Sequence, residues 1–246
     1  MLKNIICLTA VTILLLAGCT SKGDDNVEKQ TKTEVTEEAV EKDLQPKEEQ
    51  QVQKGELLQA VEEKDVQKVK EILARSNATI NETNDKKETP LLIATHENDI
   101  EIAKLLIDAG ADINQQDAIQ DSAYLYAGAQ GKTEILRYMM EHAKPNQQVR
   151  NRFGGNALIP AAEKGHLDNV RLLLTDEQVD IDHQNDYGYT ALIEAVALTD
   201  GSKVYQEIVQ ELMDAGVNQN LRDRYGKTAL DYAKEQGYRK MIEILN

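Results

Sequence analysis

The side chains best suited to hold a metal or attack a substrate are few: His96, His142, His166, His183, Cys7 and Cys19. No two histidines stand at the spacing that puts a pair of ligands on one face of a helix. Acidic neighbours such as Asp24-Asp25 and Glu62-Glu63 point in different directions and read as solvated surface. Gly154-Gly155 lacks the strand before it and the Lys-Ser/Thr after it that a phosphate loop needs. Neither a G-x-S-x-G nor an H-E-x-x-H sequence occurs. Neither catalytic residue nor metal site nor cofactor is expected, and the chain is read as a non-enzyme; an enzyme is the distant alternative.

Cys19 is the one residue with chemistry of its own. Lys3 supplies a positive start, Ile5 to Leu16 is an apolar run of twelve, and Leu16-Ala17-Gly18-Cys19 follows. The run is short for a bilayer span and suits a secretion leader. Its end resembles the lipobox of bacterial lipoproteins, which implies cleavage before Cys19 and acylation of its thiol. An ordinary leader with an incidental Cys is the alternative. Residues 1–18 are accordingly read as a lipoprotein signal peptide. Cys7 leaves with them and Cys19 becomes the anchor, so the remainder has no thiol for a disulfide. Two or three acyl chains anchor stably where one does not. The resemblance implies a domain outside the cytoplasm of a bacterium, tied to the membrane.

The rest of the chain must be explained by its period. An alanine recurs at Ala60, Ala94, Ala127, Ala161, Ala195 and Ala233, at spacings of 34, 33, 34, 34 and 38. Five residues before each of the last five stands a capping side chain: Thr89, Ser122, Asn156, Thr190 and Thr228. Five before each of those is Asn84, Asp117, Asn151, Asn185 or Asp223, suited to start a turn. In the fourth copy a short helix from Ala157 ends before Gly165, and Leu167, Val170, Leu173 and Leu174 form the apolar stripe of a second. Two such helices cannot bury that surface alone, so each unit must stack on its neighbours.

A period near 33 with Thr89-Pro90-Leu91-Leu92-Ile93-Ala94 and Ala109-Gly110-Ala111-Asp112-Ile113-Asn114 resembles the ankyrin repeat. The family's histidine three residues after the Thr is replaced by Leu92, Leu125, Ile159, Ile193 and Asp231. His166 falls where the family commonly carries a structural histidine. The resemblance implies an all-α solenoid of about six helix-turn-helix repeats with short β-hairpin-like turns. Its expected repeats are 55–84, 85–117, 118–151, 152–185, 186–223 and 224–246, within a domain 55–246. Residues 19–54, charged and poor in large apolar side chains, read as a lipidated disordered tether. Repeat five carries about five extra residues, Thr199 to Lys203, a neutral length change in preference to a binding elaboration.

What is left is surface. The formal charge of −15 disfavours nucleic acid, and from Gly55 onward 21 basic residues face 33 acidic ones. In ankyrin-like proteins partners sit on the turn tips and the exposed ends of the first helices. Carried onto this chain, the tips are Ile119, Phe153, Tyr187 and Tyr225, with Tyr189 beside them, and the helix floor includes Glu163, Ala197 and Leu198. Three aromatic tips in consecutive repeats stand out in a chain with 4% aromatics. They either reach for a partner or stack on one another. The expected function is non-catalytic binding of another protein, of basic character, by a membrane-anchored extracytoplasmic module. An antagonist or protector of an enzyme or toxin is the alternative.

Overall fold

The computed structural model describes residues 52–76 and 79–246, which form twelve α-helices and no strand. Residues 1–51, with the leader, Cys19 and most of the expected tether, lie outside the described residues. Val52, inside that tether reading, is half-buried against the core.

The helices come in six pairs: α1 (Glu56–Glu62) with α2 (Val66–Arg75), α3 (Pro90–His96) with α4 (Ile100–Asp108), and α5 (Ala123–Ala129) with α6 (Thr133–His142). Then follow α7 (Leu158–Glu163) with α8 (Leu167–Leu173), α9 (Ala191–Ala197) with α10 (Lys203–Asp214), and α11 (Ala229–Gln236) with α12 (Arg239–Ile244). First helices stack on first helices and second on second, giving two layers along the array. All six periodic alanines are buried in the first layer. Their small side chains let these helices of six to eight residues approach closely. The second layer buries larger residues, among them Ile72, Leu106, Met139, Leu173 and Leu212, each stabilising by about 1.5–3 kcal/mol. Ion pairs such as Lys70–Glu101, Lys104–Glu134 and Arg171–Glu211 link neighbouring repeats on the outside at 2.7–2.8 Å. Being exposed, they contribute little.

Local chemistry sets each first helix. Thr89, Ser122, Asn156, Thr190 and Thr228 accept from the backbone N–H three residues on, at 3.1–3.3 Å. Asp231, in place of the family's histidine, returns a bond to the Thr228 backbone and completes a capping box. The first repeat has no such residue. There Glu82, from the loop after α2, accepts from the backbone N–H of Gly55 at 2.8 Å and of Leu58 at 3.4 Å.

The expected hairpin-like turns are present, and no strand flanks them among the described residues. In Asn84, Asp117, Asn151, Asn185 and Asp223, Oδ1 accepts from the N–H groups two and four residues on, at 2.8–3.0 Å. One carboxamide or carboxylate oxygen thus adds to the backbone bond that closes each turn, from the N–H of the same residue to the carbonyl four residues on at 2.9–3.2 Å. The third residue after each is left-handed: Lys87, Gln120, Gly154, Gly188 and Gly226, with φ between 63° and 78°. Gly154 and Gly188 are also crowded: a Cβ there would lie 2.5 Å from Asp186 Oδ1 and 3.0 Å from the Asp223 Cα. Backbone bonds join successive tips, from Ala118 N to Lys86 O and Asp186 N to Phe153 O at 2.9 Å, and Arg224 N to Tyr187 O at 3.2 Å. Among the described residues none joins Arg152 to Ile119.

The extra residues of repeat five are not an open loop. Lys203 already belongs to α10, Tyr238 donates its hydroxyl to Thr199 O at 2.6 Å, and its ring lies where a Gly201 Cβ would be, 2.7 Å away. The insertion is a strap between the fifth and sixth pairs.

Candidate functional site

The turns and first helices share one face of the array, and there the described residues expose their large apolar side chains: Ile119, Phe153, Tyr187, Leu198 and Tyr225. A depression of about 530 Å³ opens among them. Phe153, Tyr187, Tyr189, Tyr225, Glu163 and Leu198, all singled out from the sequence, line it. Ile119 is exposed outside it, and Ala197 is half-buried with its carbonyl taken by Gln236 Nε2 at 3.0 Å.

The tips do not stack on one another. Phe153 is 45%, Tyr187 49% and Tyr225 75% exposed. Ring contacts run inward instead, from Tyr187 to Tyr189 at 6.4 Å and from Tyr189 edge-on to Tyr232 at 6.3 Å. Guanidinium groups cover part of two tips: Arg152 lies 4.8 Å from the Phe153 ring centre and Arg224 5.8 Å from that of Tyr187. The sequence placed the rings correctly at the tips, but nothing in it pointed to these arginine partners.

Polar groups line the floor unevenly. Arg152 Nη1 lies 3.6 Å from Asp121 Oδ2, and the charge of Lys164 also reaches Asp121. Burial nonetheless pushes the Asp121 carboxyl up, against the pull of Arg152. Two repeats on, in repeat five, Glu194 is 6% exposed and lines the depression. Its Oε1 accepts from Asn185 Nδ2 at 2.8 Å. Burial, and then the charge of Glu163, push Glu194 up to about 8. Sequence reasoning missed this residue. Its signal was one charge in the run Ala191-Leu-Ile-Glu-Ala-Val-Ala197, at a position held by Ile93, Tyr126, Pro160 and Tyr232 in other repeats.

The histidines have structural surroundings. The His166 ring packs against Gly131, where a Cβ would meet it at 2.6 Å, and burial lowers its pKa. His96 tilts against Tyr126 at 4.2 Å, and His142 stacks on Tyr138 at 4.0 Å. Among the described residues no group of three or more His, Cys, Asp or Glu is placed to hold a metal ion, and no helix is long and apolar enough to cross a membrane.

Comparison with known proteins agrees with this geometry. A family model described as ankyrin repeats, in three copies, matches residues 57–151, 125–204 and 161–246. The ankyrin repeat protein YahD of Escherichia coli K12 is 37% identical over 188 residues, 76% of this chain and 92% of its own. The crystal structure of EF0377, an ankyrin repeat protein, superposes with a TM-score of 0.77 at 58% identity, over 79% of this chain and 98% of that one. An ankyrin repeat domain from Acinetobacter baumannii AYE gives 0.74 at 44% identity, over 78% and 96%.

Proposed function

We propose that this chain, which belongs to the ankyrin-repeat family, is a non-catalytic receptor for another protein, held at a bacterial membrane by acyl chains on Cys19. Ankyrin repeats generally act by binding other proteins. The observation that carries the reading here is the gathering of Phe153, Tyr187, Leu198 and Tyr225 around one depression, all exposed. Exposed aromatic side chains in a row are unfavourable in water without a partner, and aromatic anchors concentrate binding energy at interfaces. The partner is basic, in keeping with the acidic balance of residues 55–246.

The test is capture of the partner by crosslinking in cells, followed by binding to purified variants. Phe153→Ala and Tyr187→Ala are each expected to weaken binding by about tenfold or more. Folding stability should move by only about 1 kcal/mol, since each ring is about half in water. If the variants bind normally when folded, the tips are not the binding surface.

Anchoring is tested separately. Cys19→Ala is expected to leave an unprocessed or soluble species and to empty the membrane fraction of mature protein. Unchanged fractionation, with cleavage still before position 19, would remove the lipid from the reading.

A further inference from the structure

We propose that Glu194 and Glu163 form a seat for one cationic side chain, arginine or lysine, carried on an extended segment of the partner, with Tyr187 and Tyr189 at its border. This rests on the reading of the depression as a protein-binding surface and names what that surface selects.

Three observations lead there. Glu194 lines the depression while almost wholly buried, and only its Oε1 has a hydrogen-bond partner among the described residues, Asn185. Its neighbour across the floor is a second carboxyl, Glu163 of α7. The cations that line the same depression, Arg152 and Lys164, act on Asp121 on the repeat-three side. Among the described residues neither Glu194 nor Glu163 forms an ion pair, and the two carboxyls line a partly desolvated floor together with Tyr189 and with Tyr187, whose ring already draws Arg224 to 5.8 Å. Of the other helices packed on α9, α10 buries Ile208, Val209 and Leu212, while α11 buries Ala229 and Ala233 and reaches α9 with the neutral Gln236, whose Nε2 donates to Val196 O and Ala197 O.

Holding the turn does not require that carboxyl. In repeat six the equivalent pair is Tyr232 and Asp223, joined by a hydrogen bond from the tyrosine hydroxyl. A neutral amide at 194 would serve the Asn185 bond equally well. A buried carboxyl that carries no structural advantage is accounted for by a ligand whose charge it meets. The seat also makes binding proton-linked. At neutral pH Glu194 is held mostly protonated by burial and by Glu163, so an arriving cation displaces a proton. Affinity then rises with pH, by up to about tenfold for each step of one in pH, until Glu194 is ionised in the free protein.

The full lipidated chain in detergent is immobilised and exposed to a random library of twelve-residue peptides; retained sequences are resynthesised with each arginine as citrulline or each lysine as acetyl-lysine. The expected result is peptides sharing one required cation, whose neutralisation weakens binding about tenfold or more to the wild type. Glu194→Gln is expected to erase that discrimination together with the rise in affinity between pH 6 and pH 8, and Glu163→Gln to blunt both. Glutamine keeps the Asn185 bond, so the first variant folds; a melting curve checks it. Peptides that bind tightly, depend on Phe153 and Tyr187, and ignore charge neutralisation would overturn the seat while leaving the binding surface intact. No retained peptide, or retention undiminished in a Phe153→Ala, Tyr187→Ala double variant, would overturn the seat and the binding surface with it.

Discussion

Glu194→Gln is expected to stabilise the fold by on the order of 3 kcal/mol at pH 9 and hardly at all at pH 5. The sign follows from which state holds the proton. Burial and Glu163 raise the folded-state pKa to about 8 from an ordinary 4.5, so between those values the native protein keeps a proton that the unfolded chain has released. Stability attributable to this group therefore falls as pH rises from about 4.5 to about 8, then levels off. The ceiling is about 1.4 kcal/mol for each tenfold gain in proton affinity on folding; relaxation and water entering the open depression reduce it. Glutamine does not titrate and keeps the bond from Asn185. Urea unfolding of both proteins at pH 5, 7 and 9 isolates the difference, because every group except Glu163, which is coupled to Glu194, cancels between them. Parallel stability curves would mean that Glu194 ionises normally in the folded protein.

The second large effect is expected at Asn169. This wholly buried residue of α8 sends Nδ2 back to the preceding repeat, to Ala127 O at 2.8 Å and Gly128 O at 3.0 Å. Ala127 O also accepts from Lys132 N, but Gly128 O has no other donor among the described residues. Asn169→Ala would leave that carbonyl bare inside the protein and open a cavity beside it. Together these cost on the order of 3 kcal/mol, less what is regained by removing Asn169 Oδ1, which is buried without a hydrogen-bond partner among the described residues. In a repeat array such a loss weakens one junction more than it lowers the whole. Urea unfolding should therefore broaden or split into two steps, with hydrogen exchange accelerated first in α5 and α8. A loss under about 1 kcal/mol, with the transition still sharp, would mean that the junction is held by its apolar contacts alone.

These two residues mark where sequence reading stops. Turn starts, caps and buried alanines are legible because the repeat makes the same local demand several times over, and a column of Asn or Asp can be read without knowing its neighbours. The aromatic tips are legible for the same reason, since their place is fixed by Asn151, Asn185 and Asp223 two residues earlier. Glu194 and Asn169 break their columns, and their meaning depends on what the adjacent repeat stacks against them. Glu82, which serves as the missing cap of α1, acts across 27 residues, outside any local motif. The strap 199–203 reads as neutral in sequence because the ring of Tyr238 that covers it comes from the next repeat. Ile119 and Ala197 stand in the expected register, but the depression begins beyond the one and passes beside the other.

The uneven joining of the turn tips has a mechanical meaning. Where a backbone bond links two tips, the junction has a main-chain tie on that side; between Ile119 and Arg152 there is none among the described residues, and side chains make the join instead, through the Arg152–Asp121 pair and the bond from Gln116 Nε2 to Arg150 O at 2.7 Å. On the helix side of the same junction Asn169 acts as a pin. Side-chain ties have more rotatable bonds than a main-chain one, so this junction is expected to bend about its pinned edge more readily than the junctions whose tips are joined by backbone. The depression crosses that junction, with Asp121 and Tyr126 on one bank and Phe153, Glu163 and Tyr187 on the other. A segment lying in it is a splint, and its grip is set by the bending stiffness of the receptor as well as by the contacts it makes.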